Sequence, residues 1–302
     1  MITKVLSVLG AVCLALGCVP AAPPRPALAA ASSPGAASTQ APASLSPAQA
    51  SRAPGVAGAP VEVRFLSIAP SPYSRRHDAF RAGFGVFLSL RKHIDASRLP
   101  LRITYYDGSC FFDNAVAIAD ALRGPQLFVL GASTWSQGPS FHVRRFLELA
   151  GSQDLLGASA TAWATAGGAH TGGEEVISTV LRSLTGMGAQ TFTLGQKYMV
   201  FTTDERVGPE APGAFTLLDL WYMDQFARYI AVVALAGNDR ERAATLSEQL
   251  GVSPHYYTSN FPPSEQTLAG YRDLQGQLNA AANQDSDAYR HLRSLVANTC
   301  AK

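Results

Sequence analysis

PQLFVLGAS, residues Pro125–Ser133, sets the architecture of the whole chain. Its apolar run is short and nearly continuous, as in a strand buried on both faces of a parallel sheet. Working back from it, NAVAIADALRG reads as a short helix ending at Gly124, and LRITYYDG as a strand. Phe80, Phe84, Phe87 and Leu88 fall on one face of a helix before that. VEVRFLSIA, Val61–Ala69, is a first strand rich in β-branched and aromatic residues, and it runs into the loop PSPYSRR.

Working forward, Val143, Phe146, Leu147 and Ala150 make a helical stripe, and GASATAWATA is a further strand. TAGGAHTGGEE, Thr165–Glu175, then packs four glycines into a turn before a helix whose apolar face is Val176, Ile177, Val180, Leu181 and Leu184. AQTFTLG, with YMVFTT just behind it, offers a fifth strand, and SEQTLAGYRDLQGQL begins with a capping serine and an acid in its first turn. Alternating strands and helices predict an α/β fold with a doubly wound, five-stranded parallel sheet, plus a helical insertion at about 205–261 before the last helix. Asp219, Asp224 and Arg228 interrupt the long apolar run of that insertion, which makes it a buried or interface helix and not a membrane span. Such sheets bind ligands in the loops beyond the carboxyl ends of their strands. PSPYSRR, STWSQGPS and TAGGAHTGGEE are therefore the candidate binding loops. A glycine turn there lets backbone N–H groups approach a flat or anionic ligand, because no Cβ holds it off. It also serves as an ordinary loop between elements.

The ends of the chain carry a different message. Residues 1–18 hold a lone Lys4, an apolar run from Val5 to Leu16, and then Gly17-Cys18, which is the pattern of a signal peptide. LALGC resembles the bacterial lipobox, so the expectation is an exported lipoprotein anchored to membrane through Cys18; a secretory signal cut within ALAAAS is the alternative. Residues 19–60, almost entirely Ala, Pro, Ser and Gly with Arg25 and Arg52 the only charges, cannot bury a core and read as a tether. Residues 61–302 suit one domain. With 24 Lys and Arg against 22 Asp and Glu and no basic stripe, nucleic acid is not an expected partner. Cys110 and Cys300 lie outside the leader and either pair or stay buried as small apolar residues. No CxxC or His/Cys cluster has metal spacing, so no metal site is expected.

Three blocks carry a family resemblance. GASTWSQGPSFHVRRFLE, Gly131–Glu148, resembles the third-strand loop and helix of the flavodoxin-like flavoproteins and, within them, of the WrbA-type NAD(P)H:quinone oxidoreductases, with Thr134, Arg144, Phe146, Leu147 and Glu148 coinciding. TAGGAHTGGEE resembles their Ser-Thr-Gly-Thr-Gln-His-Gly-Gly-Gln-Glu turn with one added residue, Thr171; Gly167, His170, Gly172, Gly173 and Glu175 coincide. PPSEQTLAGYRDLQ is similar to a Pro-Ser-Glu-x-x-Leu-Ala-x-Tyr segment of the same proteins.

The resemblance implies FMN as cofactor, with NAD(P)H and a quinone-like acceptor as reaction partners. It would set Thr165, Ala166, Gly167, Gly168 and His170 along the isoalloxazine ring, His170 meeting the quinone or hydride donor as the one catalytic candidate. Ser133, Thr134, Trp135, Ser136, Gln137 and Gly138 would cover another edge, Trp135 either stacking on the ring or anchoring its loop. At the phosphate, Ser67, Ser71 and Ser74 supply hydroxyls and Arg75 positive charge, although the loop lacks glycine and Pro70 and Pro72 each remove an N–H donor. Arg75 and Arg76 read equally as a solvated helix start. Met187 stands where the family commonly has a histidine near the flavin. Glu174 and Glu175 favour a helix N-terminus through its dipole. In the family the region of the insertion helps form subunit contacts and the mouth of the flavin site, so the insertion would alter both assembly and substrate shape, and a homo-oligomer stays open. Two functions follow: a membrane-tethered FMN oxidoreductase, or a flavin-free flavodoxin-fold lipoprotein that binds or scaffolds in the cell envelope.

Overall fold

The computed structural model describes residues 59–68, 78–111, 113–135, 137–166, 172–193, 199–202, 214–252 and 263–297, all within the unit Ala48–Lys302. Strand β1 (Val61–Ile68) is followed by helix α1 (Asp78–Ser97), β2 (Leu101–Asp107), a single 3-10 turn (Gly108–Phe111), α2 (Ala115–Leu122) and β3 (Leu127–Trp135). A two-residue strand, β4 (Gly138–Pro139), folds back on β3 before α3 (Phe141–Ala150). Next come β5 (Ser159–Ala166), α4 (Gly173–Gly186), β6 (Gln190–Thr191) and β7 (Met199–Thr202). Helices α5 (Leu217–Ala236), α6 (Arg240–Gln249), α7 (Glu265–Ala269), α8 (Arg272–Ala280) and α9 (Asp287–Ser294) complete the described chain.

The sheet runs β2-β1-β3-β5-β6 with parallel pairing throughout, and β7 also pairs with β5, farther along the same strand than β6. The fifth position of the sheet is thus a strand in two pieces. Counted by position the order is 2-1-3-4-5, that of the flavodoxin-like doubly wound fold. Every residue of β5 is buried, and β3 is buried from Leu127 to Ala132, as a strand covered on both faces requires.

Each face has its own core. On one face Val63, Phe65, Tyr105, Val129 and Trp163 meet Phe80, Phe84 and Phe87 of α1 and the apolar side of α5. On the other, Leu66, Phe128, Leu130 and the alanines of β5 meet α2, α3 and α4, with all five predicted residues of α4 buried. Trp163 shows how closely the first face is fitted. A Cβ on Gly131 would come within 2.0 Å of its ring and one on Gly83 within 2.4 Å, so both positions must lack side chains. Losing that indole through Trp163→Ala would cost about 3–5 kcal/mol.

The long apolar run is the buried helix α5, which lies along α1; among the described residues no helix is long and apolar enough to cross a membrane. The single last helix expected from SEQTLAGYRDLQGQL is instead two, α7 and α8, parted at Gly270-Tyr271. Glycine weakens the helix there, and the Tyr271 hydroxyl is used to reach Asp224 on α5, 2.9 Å away. Helix α9 follows, and after it Val296 forms a parallel bridge with Tyr105 on the outer edge of β2. Cys110 is disulfide-bonded, to a partner outside the described residues.

Candidate functional site

In a doubly wound sheet the crevice forms where the strand order reverses, here between β1 and β3 at their carboxyl ends. The register gives the row of residues that reaches this edge. Ser67 of β1 lies between Asp107 of β2 and Gly131 of β3, and Ser133 of β3 lies beside Thr165 of β5. Ser67 and Thr165 are buried, Ser133 and Thr134 half-buried. Ser67 Oγ and Thr134 Oγ1 are each out of contact with solvent and make no hydrogen bond of normal geometry, Ser67 lying beside the Tyr105 phenol. A buried hydroxyl left unsatisfied costs about 1–3 kcal/mol.

The loop after β3 is a tight hairpin. Trp135 pairs with Gly138, Gln137 takes a left-handed φ of 66°, and the Ser140 N–H donates to the Ser133 carbonyl at 3.2 Å. Ser140 then caps α3 by accepting from the Val143 N–H. Against this hairpin lies the end of the glycine turn. Gly172 is the N-cap of α4 with φ 88°, and a Cβ there would stand 2.3 Å from the Gln137 carbonyl oxygen. Only glycine permits both that backbone conformation and that approach. The two loops that the sequence proposed for one ligand therefore touch each other.

The N-terminus of α4 has no side-chain cap, and Glu174 and Glu175 are exposed in its first turn. Glu175 accepts from Arg182 at 2.9 Å and from Thr179 on the outside of α4, a surface pairing that leaves it no chemical role at the edge. Met187 requires a correction. It packs in the core at the C-cap of α4, beside the start of β6, and so lies at the amino edge of the sheet, opposite the candidate site.

Of the predicted residues, Ser67, Ser133, Thr134, Trp135, Gln137, Gly138, Thr165 and Ala166 come together at the carboxyl ends of β1, β3 and β5. Ser71, Ser74, Arg75, Ser136, Gly167, Gly168 and His170 lie outside the described residues. Sequence reasoning missed Asp107 and Arg293. These form an ion pair beside Ser67, with the Arg293 guanidinium over the Phe80 ring at 5.5 Å. Burial pushes the Tyr105 phenol well above its usual range, so it remains a neutral donor, and it donates a hydrogen bond to the Phe80 carbonyl at 3.0 Å. Among the described residues no group of His, Cys, Asp and Glu is placed to hold a metal ion.

No protein-family model and no curated protein matches the chain. Solved structures similar to it include the flavodoxin, WrbA-like protein from Agrobacterium tumefaciens, 12% identical over 58% of this chain and 98% of that one, with a TM-score of 0.42. An oxidoreductase from Corynebacterium diphtheriae is 17% identical over 63% and 98%, TM-score 0.41, and oxidised flavodoxin 2 from Bacillus cereus is 17% identical over 58% and 98%, TM-score 0.38. Likeness at this level transfers no site residue. The strand order itself gives the flavodoxin-like fold.

Proposed function

We propose that the chain binds FMN across the carboxyl edge of its sheet and works as an NAD(P)H:quinone oxidoreductase tethered to a membrane. The observation that carries this reading is the pair of buried, unpartnered hydroxyls, Ser67 Oγ and Thr134 Oγ1, at the ends of two adjacent strands flanking the crevice. Buried polar atoms normally find partners, and two without them at the ligand edge of this fold fit a polar ligand. The close approach of Gly172 to Gln137 fits a flat one, since it draws two loops into a single wall.

When bound, FMN would supply the chemistry, taking a hydride from reduced nicotinamide and passing two electrons to a quinone-like acceptor. The protein would hold and orient it. Ser67 at the end of β1, with Ser71, Ser74 and Arg75 of the following loop, is assigned to the phosphate, and Thr134, Thr165 and the backbone of 166–168 to the ring. His170 would stand where donor and acceptor enter. Export through residues 1–18 and lipid on Cys18 complete the proposal, the tether 19–60 holding the domain away from the membrane. Cys18→Ser should leave the protein uncleaved or soluble, and unchanged fractionation without lipid on Cys18 would refute the anchor.

Pro70 and Pro72 favour the second reading, a flavin-free binding or scaffolding module, because they take two N–H donors from the phosphate loop. Titration separates the two readings. Purified protein that is yellow, or that quenches FMN fluorescence saturably, supports the first; colourless protein that leaves FMN fluorescence unchanged supports the second.

A further inference from the structure

We infer that Cys110 is joined to Cys300, and that this disulfide fastens the C-terminal segment against the outer edge of β2. Cys110 is disulfide-bonded and sits in the 3-10 turn that directly follows β2. The described chain ends nearby. Val296 bridges Tyr105 in parallel register, and the Ala297 N–H donates to the Tyr105 carbonyl at 2.9 Å. Cys300 follows Ala297 by three residues, a reach of at most about 10 Å of chain, and Cys110 follows the end of β2 by three. A disulfide needs Cα atoms about 4.4–6.8 Å apart, which three residues of chain beyond Ala297 can reach. The other cysteines, Cys13 and Cys18, belong to the leader.

The clasp has two structural consequences. β2 is the edge strand of the sheet, and an uncovered edge presents unpaired N–H and C=O groups to other chains. The segment after α9 covers part of that edge. Arg293, in the last turn of α9, pairs with Asp107 beside Ser67, so the helix leading into this segment completes one side of the carboxyl edge. The pairing forms one S–S bond from two thiols and releases two protons and two electrons. A disulfide-bearing thiol oxidase accepts them, its own disulfide becoming two thiols.

The test is peptide mapping of the exported protein, alkylated and digested with trypsin without reductant. The expected product joins peptide 103–123 to peptide 294–302, and it is lost as a joined species on reduction. Peptide 103–123 joined to itself or to the leader peptide, or recovered as an alkylated free thiol, would overturn the assignment. Cys300→Ser supplies a second readout. Amide exchange at Ala297 and along the outer edge of β2 should accelerate about tenfold or more relative to wild type, and reductant should produce the same change in wild type. Unaltered exchange in both cases would show that no covalent bond holds the segment.

Discussion

Asp224 is buried between α1 and α5 with every oxygen occupied. His93 meets Oδ1 at 2.7 Å, while Arg228 and Tyr271 donate to Oδ2 at 2.8 and 2.9 Å. Ser67 and Thr134 stand at the carboxyl edge of the sheet with hydroxyl oxygens shielded from solvent and without a normal hydrogen bond. The first cluster ties α1, α5 and the α7–α8 junction together and needs no further component. Two sets of buried polar groups in one domain thus differ in kind: one is finished by the fold, and the other has bonding capacity left for something outside the chain.

Breaking the finished cluster should have the largest effect. Asp224→Ala removes the shared acceptor of three groups and should lower stability by about 3–5 kcal/mol, read by urea unfolding. Ligand binding by the fraction that remains folded should not change. The same carboxylate predicts a pH dependence. Burial alone would raise its pKa, but the hydrogen bond from His93 and the charge of Arg228 outweigh burial and hold it below the ordinary value. Its stabilisation is therefore fully present above the unfolded-state value of about 3.9 and is lost as pH falls through the lower folded value. Wild type should lose stability more steeply than Asp224→Asn below about pH 4. Parallel acid profiles would remove the cluster's special role.

The next effect belongs to the unfinished edge. Gly172→Val forces a β-branched residue into φ 88° and against the Gln137 backbone, at a cost of about 1–3 kcal/mol of strain. The loops should part, with FMN affinity falling much more than global stability. Equal losses in both would mean that the contact is only structural. Arg75→Ala should weaken FMN binding by about 1.5–3 kcal/mol if the guanidinium bonds the phosphate, checked by the same titration.

Legibility in the sequence followed periodicity and failed where contacts are remote. The strands β3 and β5 and the stripes of α1, α3 and α4 read directly into buried faces, because a parallel sheet covered on both sides buries its central strands along most of their length. The fifth strand was ambiguous for a physical reason: β6 and β7 each supply only part of one lane, and neither is long enough to show a period. Helix α9 has only one fully buried side chain, Leu292, and so little apolar signal. At the candidate site, the strand ends bring Ser67, Thr134 and Thr165 to one edge of the sheet. Asp107 and Arg293 are 186 residues apart, and no local pattern joins them. Met187 misled because a motif position said nothing about which end of α4 it occupies.

The central claim is that the carboxyl edge is completed by FMN. Fluorescence titration of wild type and of the Ser67→Ala, Thr134→Val double variant tests it most directly, with urea unfolding run beside it. Wild type should quench FMN saturably, and the double variant should bind about tenfold or more weakly while keeping close to wild-type stability, since neither hydroxyl makes a normal hydrogen bond within the protein. No wild-type binding, or equal affinity in the two proteins, would contradict the account.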